Sequence, residues 1–464
     1  MDLLLTHGYF LNEDAKELQI MKPYAPLGIL YLCSHLRQKG FDVEVFDSTF
    51  STREELYKVL RTETPAILGI YANLMTRKHV VEILRAAREL GWICVVGGPE
   101  PGAYPKEYLE CGAHIVVNGE GEVTMEELLP ILLRRDFESL RHIAGIAFLD
   151  EGEAVRITGP RAQLRDLDAQ PLPARGDIAM SKYLSAWRTA HGKSSVSLIT
   201  ARGCPYRCRW CSHQVYGQTH RRRNPVLVVD EIECLISEYQ PDMMWIADDV
   251  FTIHHAWLRT YASEMRQRNL HIPFECITRA DRMNSEVAEL MATLGCFRIW
   301  IGSESGSQRV LDAMQRDVTT SEVQTAVELC RERGIQTGMF LMWGYEGEDL
   351  SDIEATLEHL KRTDPDIFFT TVAYPIKGTP YYEEVKDRLT QVKPWAETSD
   401  REITLRGRHP RSYYETADSL LRDEMALQRA SRVAETSPEF AHDLEARINS
   451  ARRFLRDAQR EAQG

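Results

Sequence analysis

The sequence predicts an α/β protein with two regions of parallel strands and a helical tail. Over the first 135 residues, short apolar strands alternate with helices at short loop distance, which indicates a doubly wound parallel sheet. From residue 191 onward, successive βα units of roughly 25–40 residues indicate a barrel or part of one. At 464 residues, the chain is long enough for two or three domains with complete cores.

Apolar spacing and glycines define the N-terminal elements. The helix predicted over residues 27–38 stops at Gly40, and the helix over 77–90 ends at Gly91. We predict strands over 2–6, 42–46, 66–71, 93–96 and 115–117, and further helices over 53–61, 106–110 and 124–133. A doubly wound sheet binds ligands at the carboxyl ends of its strands, and three loops fall there: 73–76, 97–102 and 118–122.

The middle of the chain carries weaker signals. A hairpin is predicted over 145–149 and 154–157, and prolines in polar surroundings follow it, so residues 136–190 are interpreted as a linker. The second region has predicted strands over 195–200, 243–247, 274–278, 298–301, 336–342 and 367–373, and helices over 227–239, 256–268 and 321–333.

The last 74 residues, 391–464, are predicted to form a helical C-terminal domain. Their helical periodicity is clearest over 420–430 and 444–458, and Arg and Glu are abundant. We interpret this tail as a solvated cap rather than a substrate lid. The predicted domains are therefore 1–135, 136–190, 191–390 and 391–464.

Three cysteines share one short loop within residues 199–213, directly after an apolar run. Cys204, Cys208 and Cys211 are too unevenly spaced for a zinc finger, and no fourth Cys or His lies at zinc-finger distance. Three thiolates suit an iron–sulfur cluster with one iron open to another ligand. The alternative is three unrelated buried cysteines, which is the interpretation given to the other seven, scattered singly: Cys33, Cys94, Cys111, Cys234, Cys276, Cys296 and Cys330.

This loop resembles the Cys-x3-Cys-x2-Cys loop of the radical S-adenosylmethionine (SAM) enzymes, in which an aromatic residue such as Trp210 commonly precedes the last cysteine. In that family the loop holds a 4Fe–4S cluster whose fourth iron binds the amino and carboxylate groups of SAM. The resemblance implies that the three cysteines are the metal ligands and catalytic centre. It also implies a partial (β/α)6 barrel over residues 191–390.

Polar residues at the strand ends of the barrel are candidates for binding SAM. Asp248 or Asp249 could accept from the methionine ammonium group, and Arg279 could pair bidentately with its carboxylate. The segment containing Ser303 and Glu304 resembles the family's ribose motif. Trp210 and the backbone around Tyr374 resemble its adenine contacts. The alternative for each is an ordinary polar loop residue.

The N-terminal region resembles the cobalamin-binding, Rossmann-like domain that precedes many radical SAM cores. The resemblance is carried by residues 26–28, 96–99 and 119–122, and implies cofactor contacts at Gly97, Gly98, Gly119 and Glu120. The Asp-x-His-x-x-Gly motif that supplies a cobalt ligand elsewhere is absent. This implies either cobalamin bound without a protein histidine or a domain that has kept the fold and lost the cofactor. None of the N-terminal histidines His7, His35, His79 and His114 lies in such a motif.

The implied activity is reductive cleavage of SAM to a 5′-deoxyadenosyl radical that acts on an unactivated carbon. Cobalamin-dependent methyl transfer is the first expectation. Radical ring formation or oxidative rearrangement, as in the anaerobic porphyrin cyclases, is the second. A non-enzymatic iron–sulfur carrier or cobalamin-binding regulator is the third, and it would not need strand-end groups such as Glu304.

Charge and hydropathy narrow the partners. The net charge of −13 disfavours a nucleic-acid substrate, so we expect a small-molecule or lipid substrate and a one-electron reductant such as flavodoxin or ferredoxin. No window reaches the run of about 18 apolar residues that a membrane span needs, and no signal peptide is recognised, so we expect a cytoplasmic protein. The basic run 220–223 is interpreted as a solvated loop or as a contact for an anionic substrate.

Overall fold

A computed structural model describes residues 1–212, 216–391, 393–432 and 437–463. It contains a seven-stranded sheet at the N-terminus, a six-stranded parallel sheet after it, and two long helices at the C-terminus. The predicted α/β fold class is confirmed. Within the described residues, no helix combines the length and the apolar character that a membrane span requires.

The first sheet has the order β2-β1-β3-β4-β5-β6-β7, and its first five strands pair in parallel. Its strands are β1 Leu3–His7, β2 Val43–Phe46, β3 Ile67–Tyr71, β4 Ile93–Gly97, β5 Ile115–Val117, β6 Ile146–Leu149 and β7 Val155–Ile157. The flanking helices are α1 Ala15–Ile20, α2 Leu27–Gln38, α3 Arg53–Thr62, α4 Arg77–Glu89, α5 Pro105–Glu110, α6 Gly121–Leu133 and α7 Met180–His191. Buried apolar clusters cover both faces, as expected for a doubly wound sheet.

Two features of this half differ from the sequence-based expectation. The hairpin assigned to the linker pairs antiparallel with β5 and extends the first sheet. Helix α7 was not predicted, although Met180, Tyr183 and Trp187 are buried at helical spacing and Gly192 ends the helix at φ 72°. The domain boundaries themselves stay a prediction.

The second sheet has the order β15-β14-β13-β12-β11-β8, with every neighbouring pair parallel. Its strands are β8 Ser195–Leu198, β11 Met243–Ile246, β12 Phe274–Thr278, β13 Cys296–Glu304, β14 Gln336–Trp343 and β15 Ile367–Val372. Two short antiparallel pairs join β9 Ala201–Arg202 to β10 Arg221–Arg222, and β16 Leu389–Thr390 to β17 Thr404–Leu405. Among the described strands β8 and β15 do not pair, so this barrel is open.

Helices cover one face of this sheet. They are α8 Pro225–Tyr239, α9 His255–Gln267, α10 Ser285–Thr293, α12 Thr320–Arg331 and α13 Leu350–Thr363. The short helices α11 Gln308–Ala313 and α14 Pro380–Val385 pack in a separate apolar cluster with Met342 and Ala373. Ile299 and Ile301 of β13 belong to the core beneath the helices, so the alternating residues Trp300 and Gly302 lie on the opposite face. We call that opposite face the inner face of the barrel.

The tail consists of α15 Arg411–Ala430 and α16 Pro438–Gln463. Leu420, Leu421 and Met425 of α15, and Leu455 of α16, are part of the same apolar core as the barrel helices. The tail is therefore packed against the barrel by apolar burial.

Candidate active site

The cysteine loop is held at its base by the short β9–β10 pair. Gly203, at φ 84°, leads into the loop, and a Cβ there would lie 2.1 Å from the carbonyl oxygen of Thr219. Only glycine fits this close approach. Inside the loop, the amide of Cys211 donates to the carbonyl of Cys208 at 3.2 Å. His213, the last residue of the stretch singled out in the sequence, lies outside the described residues.

The electrostatics of the loop fit a metal cluster. Burial raises the pKa of the Cys204 thiol, and burial together with the charge of Cys208 and Asp249 raises the pKa of Cys211 to about 12. Thiolates so placed need a strong positive partner, which a coordinated metal supplies. Among the described residues, no three Cys, His, Asp or Glu side chains converge as ligands of one ion. Three thiolates on one short loop suit a cluster in which each of them binds a different iron.

Arg316 connects this loop to β13. It donates from Nη1 to the Sγ atom of Cys208 at 3.8 Å and from Nη2 to the carbonyl of Gly302 at 2.9 Å. Its Nε atom lies 3.9 Å from Oε1 of Glu304. Sequence reasoning missed Arg316, which lies in the turn after α11 and carries no motif of its own.

Glu304 has the geometry expected of a ligand-binding carboxylate. It ends β13 at a register shift and adopts φ 60°, in the left-handed region that non-glycine residues rarely enter. Among the described residues no group donates a hydrogen bond to its carboxylate. Burial raises its pKa, and the nearby charges of Arg316 and Arg279 oppose that rise.

The two aspartates after β11 have different surroundings. Asp248 is buried and accepts from the amides of Thr200 at 2.7 Å and Ala201 at 3.0 Å. It therefore fixes the end of β8, just before the cysteine loop. Asp249 receives no hydrogen bond from the described residues, and its charge acts on the thiols of Cys204 and Cys211. Of the two, Asp249 has the carboxylate available for the methionine ammonium group.

Arg279 is held by the protein on three sides. Its guanidinium lies 3.5 Å from the ring centroid of Tyr206, and its Nε donates to Asp281 at 2.8 Å. Its Nη2 donates to the carbonyls of Arg316 and Asp317, both at 2.9 Å, and only Nη1 lacks a partner. This arrangement does not offer the predicted bidentate pairing with a carboxylate. Arg279 instead supports the turn that carries Arg316.

The predicted adenine contacts come together in part. Trp210 packs against an apolar cluster that includes Met342 and Ala373, so the loop and the end of β15 do meet. The ring of Tyr374 lies 5.6 Å from the guanidinium of Arg401. Ser303 is buried, with its hydroxyl 3.2 Å from Nε2 of His359, so it supports β13 from behind.

Apart from the cysteine loop, a pocket of about 120 Å³ lies at the carboxyl edge of the first sheet; we call it the glycine pocket. Gly97, Gly98, Gly119 and Glu120 all line it, as predicted. At Gly98, φ is 120° and a Cβ would lie 2.3 Å from the carbonyl oxygen of Ala72, so the edge can only be built with glycine. The loop 73–76, which was also predicted to contribute, is not part of the lining. Its residues Asn73 and Thr76 hydrogen-bond to each other within the loop.

The barrel contributes the opposite wall of this pocket through Ile199, Arg202 and Tyr216. Glu120 accepts from Arg202 at 2.9 Å and Arg221 at 2.7 Å, while Glu122 accepts from Arg202 at 2.7 Å. The carboxylate of Glu120 thus links the two regions. A ligand in the pocket would contact the backbone or the methylene groups of Glu120 and not its carboxylate.

The basic run 220–223 is a correction to the sequence analysis, because its arginines are neither solvated nor free. Arg221 pairs with Glu120, Arg222 stacks 3.7 Å from the ring centroid of Trp257, and Arg223 pairs with Glu231. Among the described residues, His220 has no hydrogen-bond partner for either ring nitrogen, and its ring lies 4.9 Å from that of His254. Burial lowers the pKa of His220 to about 4, so the ring is neutral at pH 7. Sequence reasoning treated His220 only as part of this basic run and gave His254 no role.

The glycine-built edge lets a ligand approach the backbone closely, and no histidine is among the described residues that line the pocket. The four N-terminal histidines considered above have partners of their own: His7 with Asp47, His35 with Glu126, His79 with the carbonyl of Gly8, and His114 with the amide of Cys94. Cobalamin bound at this edge would therefore take no histidine ligand from the described residues.

Two family models match the chain. The radical SAM superfamily model matches residues 198–360, and the B12 binding domain model matches residues 20–129. An uncharacterized methyltransferase of Pyrococcus horikoshii is 28% identical over 393 residues, which cover 83% of each chain. The anaerobic magnesium-protoporphyrin IX monomethyl ester cyclase of Cereibacter sphaeroides is 27% identical over 84% of this chain and 64% of its own length.

Solved structures share the fold over almost the whole chain. The radical SAM methyltransferase TsrM of Kitasatospora setae, solved with cobalamin and a 4Fe–4S cluster, gives a TM-score of 0.70 at 19% identity and covers 97% of this chain and 99% of its own. The cobalamin-dependent enzyme OxsB, solved with aqua-cobalamin, gives 0.72 at 19% identity, covering 97% and 71%. With a B12 binding domain followed by a radical SAM core and its three-cysteine loop, this chain belongs to the cobalamin-binding-domain radical SAM enzymes.

Proposed function

We propose that this enzyme transfers a methyl group to an unactivated carbon of a small-molecule substrate in a cobalamin-dependent reaction. The observation that carries the proposal is the shared wall between the two sites. Arg202, which lines the glycine pocket, is two residues from Cys204 in the cluster loop. A substrate between the pocket and the loop would be within reach of both cofactors, as a reaction that uses both requires.

The roles of the residues follow from their surroundings. Cys204, Cys208 and Cys211 would hold the cluster, which supplies one electron for the cleavage of SAM. Asp249, with its free carboxylate, is placed to bind the methionine ammonium group. Glu304 is placed to accept from the ribose hydroxyls. Holding both ends of SAM restricts the bond that breaks to one orientation.

The names of several relatives support methyl transfer. Besides the Pyrococcus horikoshii relative, they include a cytidylyl-2-hydroxyethylphosphonate methyltransferase of Streptomyces wedmorensis and a hopanoid C-3 methylase of Methylococcus capsulatus. These substrates differ in polarity and size, so the relatives leave the choice between a small polar molecule and a lipid to experiment. We expect the electron to come from a small carrier such as flavodoxin or ferredoxin.

Ring formation without methyl transfer is the second candidate. It is favoured by three relatives named anaerobic magnesium-protoporphyrin IX monomethyl ester cyclase, which are 25–27% identical to this chain. That reaction would need radical SAM chemistry at the cysteine loop but no methyl group from SAM. The two candidates therefore differ in what becomes of the methyl group.

The test follows SAM that carries a deuterated methyl group. The enzyme is reconstituted anaerobically with iron and sulfide, with and without cobalamin, and given a chemical one-electron reductant. Methyl transfer predicts 5′-deoxyadenosine together with S-adenosylhomocysteine, the second only when cobalamin is present. Formation of 5′-deoxyadenosine alone under both conditions would refute methyl transfer and favour ring formation. Cys208→Ala serves as the control without a cluster.

A further inference from the structure

Three aromatic side chains lie together on the inner face of the barrel. Trp300 of β13, Phe340 of β14 and Phe369 of β15 have nearly parallel rings, with interplanar angles of 14–21°. The ring of Trp300 is 5.2 Å from that of Phe340 and 5.4 Å from that of Phe369, centroid to centroid. We call these three residues the aromatic platform.

Strand alternation and one glycine give the platform its shape. The neighbours Ile299 and Phe368 pack towards the helices, which leaves Trp300 and Phe369 on the inner face. Gly338 lies under the indole of Trp300, because a Cβ there would be 2.2 Å from the ring. The missing side chain lets the indole lie against the sheet, where it supports the two phenylalanines.

The platform is exposed at one end. Trp300 is 7% exposed, whereas Phe369, on the edge strand β15 of the second sheet, is 51% exposed. A ligand that covered the ring of Phe369 would gain free energy from the apolar area that it buries.

The platform continues directly into the candidate SAM site. Phe340 is paired in register with Gly302. The carboxylate of Glu304 and the guanidinium of Arg316 lie over Gly302 on the same inner face, within 2.6 and 2.7 Å of where its Cβ would be. Two residues beyond Phe340, a step of about 7 Å, Met342 packs in the cluster that contains Trp210.

Other aromatic and polar groups lie beside the platform. The indole N–H of Trp300 donates to Glu275 at 2.9 Å, which turns the polar edge of the indole away from Phe340. Tyr24, 42% exposed, lies 6.2 Å from the ring of Trp245 further along the same sheet. Across β13 to β15 the platform is about 10 Å wide, since neighbouring strands are about 4.8 Å apart.

We propose that the aromatic platform binds a flat, uncharged ring of the substrate, and so holds the reacting carbon of a ring-bearing small molecule beside the adenosine site. The inference rests on the proposed function. Within the stack the rings cover parts of one another's faces, so the exposed surface of Phe369 is what a ligand ring would contact, in an offset-stacked or edge-on arrangement. The three rings carry no charge. The Arg298–Glu275 ion pair borders Trp300, with the Arg298 guanidinium 5.7 Å from its ring centroid, and Glu304 and Arg316 at the upper end suit polar substituents.

The test measures binding of two neutral probes to the reconstituted full-length enzyme by equilibrium dialysis: 2-naphthol, which has fused rings, and 1-decanol, which is a chain. We expect Phe369→Ser to weaken 2-naphthol binding about five- to tenfold, as expected for loss of one aromatic contact. Phe369→Trp, which keeps a ring, should retain binding. Phe440→Ser is the matched control, because Phe440 of α16 is also 51% exposed.

Two results would overturn the inference. One is equal binding of 2-naphthol to Phe369→Ser and to Phe440→Ser. The other is tighter binding of 1-decanol than of 2-naphthol to the wild type, which would indicate a lipid chain instead of a ring. Unfolding of Phe369→Ser is checked by circular dichroism, and Phe369→Leu replaces it if needed. Neither probe requires SAM turnover, so a failure of the proposed function would appear separately, as absence of 5′-deoxyadenosine in the wild type.

Discussion

Replacing Glu304 by Gln tests whether the carboxylate of Glu304 binds the ribose hydroxyls of SAM. The carboxylate is largely buried, and among the described residues its one ion pair is the 3.9 Å contact with Arg316 and no group donates a hydrogen bond to either oxygen. Each charge-assisted hydrogen bond to a ribose hydroxyl contributes about 1.5–3 kcal/mol. The amide of Gln keeps one acceptor and loses the charge. We therefore expect SAM to bind about 10- to 100-fold more weakly, at about 1.4 kcal/mol per tenfold.

The assay is calorimetric titration of SAM into the reconstituted enzyme at pH 7, with the cluster spectrum recorded alongside. Glu348→Gln is the control, because Glu348 is also buried near a strand end of the barrel and burial raises its pKa to about 8. Glu348 is thus largely neutral at pH 7, so its replacement removes little charge. We expect its SAM affinity to equal that of the wild type.

The pH dependence gives an independent check on Glu304. Since burial raises its pKa, the carboxylate takes up a proton at a higher pH than an exposed glutamate does. SAM affinity of the wild type should therefore fall as the pH is lowered towards that raised pKa, whereas Glu304→Gln should show no such fall. An unchanged affinity in Glu304→Gln at pH 7, with the cluster spectrum intact, would refute the reasoning and move the ribose site elsewhere.

Four further expectations concern the cluster, the link between the two regions, a buried acid and the cobalt. Alanine at any of the three loop cysteines should abolish the cluster, measured as iron and sulfide per chain, whereas Cys330→Ala in the barrel core should not. Arg202→Met leaves Glu122 buried without its cation, so the free energy of unfolding should fall by about 3–5 kcal/mol, measured as a lower thermal midpoint. The control is Arg259→Met, which breaks an exposed ion pair and should leave the midpoint unchanged. Glu348→Gln should stabilise more at pH 9 than at pH 6, because folded Glu348 keeps a proton up to a pKa of about 8 that the unfolded chain has released, and stability therefore falls with rising pH through that range. The paramagnetic resonance spectrum of bound Co(II) should lack nitrogen splitting, since no histidine is among the described residues that line the glycine pocket, and observed splitting would contradict this assignment.

Local patterns predicted most of the secondary structure because they act over a few residues. The helix Leu27–Gln38 and the strands Ile115–Val117 and Phe274–Thr278 occur with the predicted bounds. Parallel pairing follows from strands that alternate with helices, so the two sheets could be predicted as well. The hairpin at 146–157 was recognised but misplaced, since its partner strand β5 is decided by packing and not by its own pattern.

The parts of the site that consist of a local sequence motif could be predicted. The side chains whose partners are distant in the sequence could not. The cysteine loop and the glycine edge are visible as residue spacing. Arg279 could not be assigned in this way, because its partners are the carbonyls of Arg316 and Asp317, almost 40 residues away. Glu120 is similar, with partners on β9 and β10. Long charged side chains reach many groups, and the sequence does not say which one is nearest after folding.

The residues just before the cysteine loop connect the two cofactor sites through a few bonds. Asp248, buried at the end of β11, holds the amides of Thr200 and Ala201, and the next residue, Arg202, binds Glu120 at the start of α6. One short segment is thus fixed from the barrel on one side and from the B12 binding domain on the other. Because Cys204 follows after one glycine, a shift of either domain against this segment would move the cluster ligands. The segment would therefore set the distance between the cluster and a cofactor in the glycine pocket. Removing Arg202 from water is costly, and its pairing with Glu120 and Glu122 compensates for that cost.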